Sequence, residues 1–473
     1  MLELPSALSD VALLVVAAFL YPFVWYVTRG LPGLAKVLAR AAPLLVIAGL
    51  FCLSLLIAAR SGQPEPAAAG KATRGAGPEH AEVLPPQTAA PAPVATQPAP
   101  PPPTQTRAAT RDGDAAAAPA ASAAAKGGSW DVVPVLYGTD RLRKEGPQDG
   151  PKRGAGYGAE RARRLELGRA LVTVPAAHRV PTIERPFALR VPYLQIVLYE
   201  QEEDPRRHFT LKEIKPLSQE EFLTLTRERL AASHAFKDQA LVFVHGFNTA
   251  FEHALYRAAQ LAYDLKFDGA AFLYSWPSGG GVIGYGHDRE SATQAEPYLK
   301  EFLDLVVRQT GAKSVSVIAH SMGNLPLLNV LRELGPALPE GVRLNEVILA
   351  APDVDRDVFA NLAAGIRPYG RGITLYCSAN DRAMSASRRF AGGVPRAGDV
   401  PAEGPVIIAG IDTIDVTGTS TDLLALNHST YAEKSALLND IALLLQTGER
   451  PPERRVPILQ KVSTGKGAFW RYP

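Results

Sequence analysis

Residues 319–323 (AHSMG) have the composition of a nucleophile elbow, the sharp turn that presents a reactive serine at the end of a strand. A β-branched run precedes Ser321 and a helical pattern follows it. Small flanking residues are required because bulky ones would clash with the neighbouring strands, and Ala319 keeps that space nearly free. The pattern therefore predicts that Ser321 is a nucleophile for acyl transfer; the alternative is an ordinary serine N-cap.

Strand and helix patterns alternate on both sides of this turn. The predicted strands are residues 241–244, 270–274, 314–319, 346–350 and 373–377 and the strand-like 406–414. The predicted helices are residues 251–265, 292–309, 325–334 and 431–445. This alternation predicts an α/β fold in which helices cover both faces of a mostly parallel sheet. Residues 132–137 and 169–174 are expected to add strands to the same sheet.

A second motif, residues 245–248 (HGFN), ends the strand two before the elbow strand. In α/β sheets with a nucleophile elbow, this loop donates one backbone N–H to the oxyanion hole, and the residue after the nucleophile donates the other. We therefore expect the N–H groups of Phe247 and Met322 to bind the oxyanion, each contributing about 3 kcal/mol. Gly246 lets the backbone approach the substrate oxygen. For the imidazole of His245, a structural hydrogen bond within the loop is favoured over a catalytic role.

The general base follows by elimination. Along the chain, folds of this kind place the serine first, then the acid, then the histidine. The chain has nine histidines, and only His428 comes after Ser321. His428 lies after the last predicted strand and before the last predicted helix, where this fold requires its base. We expect it to take the proton of the serine.

Two aspartates are candidates for the acid, which fixes the tautomer of the histidine and stabilises the imidazolium. Asp381 follows the second strand after the elbow, which is the commoner position. Asp353 follows the first strand after the elbow, which some lipase-like enzymes use instead. Asp381 is favoured on position alone, although both residues could also be helix N-caps.

Together these residues resemble an uncharacterised bacterial family of α/β hydrolases related to esterases and lipases. The resemblance runs from residue 132 to about residue 445, and it rests on residues 137–141, 243–248, 275–278, 288–292, 319–324, 378–382 and 427–429. It implies the α/β-hydrolase fold and serine-hydrolase activity without naming a substrate. Residues 137–141 and 288–291 shape the rim of the site or form structural ion pairs, and the structural role is favoured.

The first sixty residues indicate a membrane hairpin. Residues 11–27 and 41–59 carry no charge, and each is close to the roughly 20 apolar residues that cross a bilayer. Residues 1–60 are therefore predicted to form two transmembrane helices; the alternative is a buried hairpin of a soluble domain. Arg29, Lys36 and Arg40 lie between the two runs, so the positive-inside rule puts that loop in the cytoplasm and the catalytic domain on the periplasmic side of the inner membrane.

Residues 61–127 are rich in Ala and Pro and nearly lack large apolar side chains, which predicts a disordered linker. A tether between the membrane and a catalytic domain, residues 128–473, is favoured over a recruiting site for a partner. Fifty Lys and Arg against 47 Asp and Glu give a net charge of +3, which argues against nucleic acid as a partner. The two Cys exclude a disulfide framework and a Cys-rich zinc site. No metal or organic cofactor is expected.

The sequence thus predicts a membrane-anchored serine hydrolase that cleaves carboxylic esters through Ser321, His428 and Asp381. The expected substrate is an ester derived from lipid or from the cell envelope. An acyltransferase that uses the same site is one alternative, because both reactions share the acyl-enzyme. A non-catalytic envelope scaffold is another. The loop at residues 279–286 is either a lid over the site or a simple connection.

Overall fold

A mixed sheet runs through the part of the chain that the structure describes. The structure is a computed structural model, and it describes residues 129–144, 156–190, 197–279, 284–338, 343–381, 384, 387–388, 392–418 and 431–473. The strands are β1 (Trp130–Lys144), β2 (Gly156–Pro175), β3 (Ala188–Arg190), β4 (Val197–Glu200), β5 (Thr210–Leu217), β6 (Gln239–Val244), β7 (Ala270–Ser275), β8 (Ser314–His320), β9 (Arg343–Ala350), β10 (Gly370–Cys377), β11 (Asp412–Asp415), β12 (Gln460–Thr464) and β13 (Gly467–Arg471).

Strand order puts the elbow strand near the middle of the sheet. Within the described residues the order is β12-β13-β11-β10-β9-β8-β6-β7-β1-β2-β5, and β3 and β4 form a separate two-stranded sheet. In this order, all neighbouring strands between β11 and β1 pair in parallel. Strands β2, β5 and β12 join the sheet by antiparallel pairing. Strand β8 lies between β6 and β9, so the loops after these three strands meet at one edge. Ligands of open α/β sheets bind at this carboxyl edge.

Helices cover both faces of the sheet, as the sequence predicts. They are α1 (Gln219–Ala231), α2 (Phe251–Asp264), α3 (Tyr285–Gln294), α4 (Glu296–Gln309), α5 (Asn324–Leu334), α6 (Arg356–Ile366), α7 (Tyr431–Thr447) and α8 (Pro452–Arg455). Buried residues of α1, α4, α5 and α6 share one core with one face of the sheet. Buried residues of α2 and α7 share a second core with the other face.

Strand β8 shows why its sequence belongs at the centre of such a sheet. Val315, Val317 and Ala319 pack into the core on one face, and Ile318 packs into the core on the other. Successive side chains of a strand point to opposite faces, so a strand that is buried on both faces needs a nearly continuous apolar sequence. The run 315–319 meets this requirement, and it holds the elbow at its end on a rigid support.

Most predicted elements are confirmed, but three differ. Residues 292–309 are not one helix, because α3 ends and α4 begins around Ala295. Pro297 lies at the start of α4, where its missing N–H can be tolerated only in a first turn. The strand-like run 406–414 forms a strand only from Asp412, since Gly410 turns the backbone with a φ of +81°.

The third difference concerns the extra strands, which are much longer than predicted. Strand β1 has 15 residues and β2 has 20, and together they form an antiparallel pair on the parallel sheet. Their pairing register shifts between Thr139 and Arg143. Irregular pairing of this kind re-aims side chains, often beside active sites.

The predicted membrane hairpin (1–60) and linker (61–127) lie outside the described residues, and so do Gly280 and Gly281 of the candidate lid. Gly286, the last residue of the candidate lid at residues 279–286, lies inside helix α3. Among the described helices, none combines the length and the apolar character needed to cross a membrane.

A buried ionic cluster fastens the connection between β2 and β5 to the end of α2. His178 contacts Glu184 through Nδ1 and Asp264 through Nε2, both at 2.9 Å. Burial by itself would lower the pKa of His178, but the hydrogen bonds to Asp264 and Glu184 outweigh burial and raise it to about 9. The imidazolium is therefore the form that holds this connection at neutral pH.

This cluster predicts a pH-dependent contribution to stability. Because the pKa of folded His178 lies above its ordinary value of 6.5, the contribution is fully present below about pH 6.5 and is lost as the pH rises through about 9. Replacing His178 by Asn should lower the free energy of unfolding by about 3 kcal/mol at pH 6. The measurement is thermal or urea unfolding of both proteins between pH 6 and pH 10. A difference that stays constant over this range would contradict the ionic role.

Candidate active site

Ser321 lies at the carboxyl edge of the sheet in a strained backbone conformation. It follows β8 directly and begins a single 3₁₀ turn, Ser321–Gly323, that leads into α5. Its φ is +50°, in the left-handed region that residues other than glycine rarely adopt. Strain at a serine between a strand and a helix is the hallmark of a nucleophile elbow. The serine is only 8% exposed.

Two hydrogen bonds hold the strained turn from below. The carbonyl oxygen of Ser321 accepts the side-chain N–H of Asn324 at 2.8 Å and the backbone N–H of Asp353 at 3.1 Å. Asn324 is fully buried and belongs to the first turn of α5. These hydrogen bonds fix the backbone of the turn at Ser321.

The loop after β6 lies against this turn with no space for additional side chains. A Cβ on Gly323 would lie 2.3 Å from the carbonyl oxygen of His245. A Cβ on Gly246 would lie 2.8 Å from the Cβ of Ser321. Real Cβ atoms do not approach other atoms this closely, so both glycines are required by the contact between the two backbones. Gly246 therefore lies beside Ser321.

The two predicted oxyanion donors belong to these two backbones. Met322 is the middle residue of the 3₁₀ turn, directly after Ser321. In the loop, the N–H of Asn248 bonds Asp288 at 3.2 Å and the N–H of Thr249 bonds Ser278 at 2.9 Å. Within the described part of the chain, the N–H of Phe247 has no such acceptor. An N–H left without an internal partner is what a binding site for an oxyanion requires.

The imidazole of His245 is buried in the loop, in the structural role that the sequence favours. Its Nδ1 lies 2.8 Å from the carbonyl oxygen of Gly246, and its Nε2 lies 3.1 Å from the hydroxyl of Ser275. The ring stacks on Trp276, whose indole N–H donates to the carbonyl of His245 at 2.8 Å. Burial, together with the nearby charge of Arg141, lowers the pKa of His245 well below 6.5. The ring is therefore neutral and is not available as a base.

Arg141 is a buried cation that connects several loops at this edge. Its Nη2 donates to the carbonyl of Thr249 at 2.7 Å and lies 3.3 Å from Nε2 of His245, and its Nε donates to the hydroxyl of Ser275 at 2.9 Å. Its Nη1 donates to the carbonyls of Gly158 and Ser278. All five guanidinium N–H groups thus point at neutral acceptors, so the expected ion pair is replaced by a network of hydrogen bonds.

Asp288 is a second buried charged side chain that bonds these loops. One carboxylate oxygen accepts the N–H of Asn248 at 3.2 Å and the hydroxyl of Ser278 at 2.5 Å, and the other accepts the N–H of Gly279 at 2.7 Å. Its side chain is fully buried. The motif that contains Asp288 is therefore structural, as favoured from the sequence, and it ties helix α3 to the loop that carries Phe247.

The two candidate acids have different surroundings. Asp353 contacts Arg396 at 3.1 Å and Tyr285 at 3.1 Å, and it also accepts a hydrogen bond from Ser387. Asp353 and Arg396 are both buried. Asp381, also buried, follows β10, and one of its oxygens accepts the N–H of Met384 at 3.1 Å. Asp353 is thus engaged in an ion pair and in hydrogen bonds with two hydroxyl groups.

His428 lies outside the described residues, in the connection between β11 and α7. That connection begins at the same carboxyl edge as Ser321, because β11 is parallel to β10. His320, which precedes the nucleophile, has its pKa lowered to about 3 by burial and by the charge of Arg257. Among the described residues, no three His, Cys, Asp or Glu side chains are grouped as metal ligands would be.

Sequence reasoning missed the side chains that position this site. The sequence marks Ser275, Ser278 and Asp288 only as motif residues. It does not predict that each of them contacts the loop of Phe247. The concentration of Ser, Trp and Gly at the end of β7 was the available signal. No sequence pattern indicated a role for Arg396, because it lies in a long connection without a recognisable motif.

The contact between Gly246 and Ser321 predicts the effect of a single methyl group. Gly246→Ala should lower kcat about a hundredfold, because the new Cβ must push the loop of Phe247 away from the nucleophile. Ester turnover measures the effect, and Gly286→Ala is the matched control, because a Cβ there has nothing within 4 Å. Equal activity of the two variants would contradict the close contact.

Comparison with known proteins agrees with this architecture. Residues 221–447 match the model of a family described as "Alpha/beta hydrolase of unknown function (DUF900)". The uncharacterized protein alr1448 of Nostoc sp. is 35% identical over 75 residues, which are 16% of this chain and 20% of that relative. The match thus spans only a fifth of the relative's length.

Two solved hydrolase structures are also similar, at low identity. A Lactobacillus plantarum protein, provisionally described as a cell surface hydrolase, is 11% identical with a TM-score of 0.28, over 46% of this chain and 94% of that chain. An esterase of the archaeon Pyrobaculum calidifontis is 13% identical with a TM-score of 0.24, over 44% and 75%. The part of the chain that carries Ser321 thus matches a family of α/β hydrolases.

Proposed function

We propose that this hydrolase cleaves carboxylic esters, with Ser321 as nucleophile, His428 as general base and Asp381 as the acid that orients it. The observation that carries the proposal is the strained Ser321 at the carboxyl edge, with φ at +50° and Gly246 packed against its Cβ. Backbone strain of this kind costs about 1–3 kcal/mol and is retained where function requires it.

Each step of the reaction has a group to perform it. The hydroxyl oxygen of Ser321 attacks the ester carbonyl while His428 takes the hydroxyl proton. The N–H groups of Phe247 and Met322 bind the oxyanion of the tetrahedral intermediate. His428 then gives its proton to the departing alcohol, which leaves the acyl group on Ser321. Water, deprotonated by His428, releases the acid and restores the serine.

The contacts of Asp353 and the position of Asp381 along the sheet support Asp381 as the acid. The carboxylate of Asp353 is occupied by Arg396, Tyr285 and Ser387. A triad acid must accept the Nδ1–H of the histidine, and Asp353 has little capacity left for this. Asp381 comes after β10, one strand further from the elbow, and β10 adjoins the strand that leads to His428.

The N-terminal part of the chain suggests where the substrate is found. Two uncharged runs, 11–27 and 41–59, would anchor the protein in the inner membrane, and residues 61–127 would act as a spacer. A domain tethered in this way on the periplasmic side can reach esters in or near the envelope. The substrate class we propose is therefore an acyl ester derived from lipid or from the cell envelope.

The full-length protein should hydrolyse p-nitrophenyl esters, with a preference that depends on acyl-chain length. Ser321→Ala should lower kcat on the order of 10⁶-fold, down to the residual rate of binding and oxyanion stabilisation. The measurement is release of p-nitrophenol across a series of acyl chains. Turnover that survives in Ser321→Ala would contradict the assignment of the nucleophile.

Asparagine substitutions separate the two aspartates. Asp381→Asn should lower kcat about 10⁴-fold with little change in melting temperature, because the histidine then takes the wrong tautomer. Asp353→Asn should instead destabilise the fold by about 3 kcal/mol, because it leaves Arg396 buried without its counter-charge. Kinetics and thermal unfolding of both variants are the measurements. The reverse pattern would identify Asp353 as the acid.

A further inference from the structure

The peptide unit between Gly246 and Phe247 connects a buried histidine to the expected oxyanion hole. This unit is planar, so the carbonyl of Gly246 and the N–H of Phe247 point in opposite directions and turn together. Nδ1 of His245 lies 2.8 Å from that carbonyl oxygen. The hydrogen bond between them fixes the rotation of the peptide plane. It therefore also fixes the direction in which the N–H of Phe247 points.

The contacts of the ring determine where its proton lies. A carbonyl oxygen can only accept, so Nδ1 of His245 must carry the proton that bonds Gly246. On the other side of the ring, an N–H of Arg141 at 3.3 Å and the hydroxyl of Ser275 at 3.1 Å both reach Nε2, which therefore accepts. Burial, and after it the charge of Arg141 beside Nε2, lowers the pKa of His245 well below its ordinary value, so Nε2 stays unprotonated.

The ring has no freedom to move away from this arrangement. His245 is 1% exposed, and its ring is stacked on Trp276 with centroids 4.9 Å apart and an angle of 19° between planes. Arg141 bonds the loop once more at the carbonyl of Thr249, at 2.7 Å. The guanidinium of Arg141 therefore contacts His245 at one end of the segment that contains Phe247 and Thr249 at the other.

We propose that His245 is a positioning residue that aims the N–H of Phe247 at the oxyanion, and that Arg141 and Ser275 hold it in the tautomer that this task requires. The inference rests on the proposed ester hydrolysis and deepens it. In this proposal the buried network of His245, Arg141 and Ser275 determines the direction in which one oxyanion donor points. Donors of this kind act only when they are already oriented before the charge develops.

Three substitutions of His245 test this role, because they differ in which ring nitrogen they replace. The amide N–H of Asn reaches about as far as Nδ1, whereas that of Gln reaches about as far as Nε2. His245→Asn should keep kcat within about fivefold of the wild type. His245→Gln and His245→Ala should lower kcat about a hundredfold with KM nearly unchanged, because the interaction lost is made with the transition state.

The experiment uses the full-length protein, with p-nitrophenyl esters as substrate and thermal unfolding as a check of folding. If His245→Ala does not fold, the comparison of Asn with Gln still decides. His234→Ala is the control, since this imidazole is exposed in a separate loop, and its kcat should equal that of the wild type. Arg141→Lys should lower kcat about tenfold, because Lys keeps the charge but not the five-donor fork.

Two results would overturn the positioning role. In one, the Asn and Gln variants are equally impaired, so that the loss comes from packing. In the other, all three variants are as active as the wild type. A wild-type protein that hydrolyses no ester in the series would instead overturn the proposed function, and the positioning role with it. The two failures are therefore distinguishable by the activity of the wild type.

Discussion

The site depends on the close approach of two backbone segments at the carboxyl edge of the sheet. The turn at Ser321–Gly323 and the loop that begins at His245 are so close that neither Gly323 nor Gly246 has space for a Cβ. At this approach Ser321 has a left-handed φ of +50°, and Gly246, which precedes Phe247, lies against it. Adjacent parallel strands β6 and β8 deliver the two segments in register, with Val244 beside Ala319. The reactive geometry is therefore a consequence of strand order.

Maintaining this approach requires buried polar groups, which are expensive unless they are fully bonded. Arg141 donates to the carbonyl of Thr249, and Asp288 accepts the N–H of Asn248, so two backbone groups of the loop are bonded by buried charged side chains. Neither contacts the other in an ion pair, so the network does not depend on a single charge pair. Its rigidity fits a hydrolase whose donors must be oriented before the substrate arrives. Such networks favour a unique arrangement over maximal stability.

The sequence was informative where local pattern and chain order coincide. The turn at Ser321 could be predicted because strand, turn and helix signals meet within a few residues. The strained φ of Ser321 is the backbone conformation that such a turn has. Helix α2 and strand β6 followed from periodicity. The placement of Arg141 could not be predicted, because it depends on a register shift between β1 and β2 that has no signature in the sequence. The pairing of Asp353 with Arg396 joins residues of separate connections, and only the tertiary fold reveals it.

The central claim is that the fold makes one serine hydroxyl reactive, and covalent labelling tests it most directly. The folded, full-length protein is treated with a fluorophosphonate probe, digested and analysed by mass spectrometry. We expect one adduct, on the peptide that contains Ser321, and none after heat denaturation or in a variant without that hydroxyl. An adduct on a different serine, or ester hydrolysis by folded protein that carries no adduct at Ser321, would contradict it.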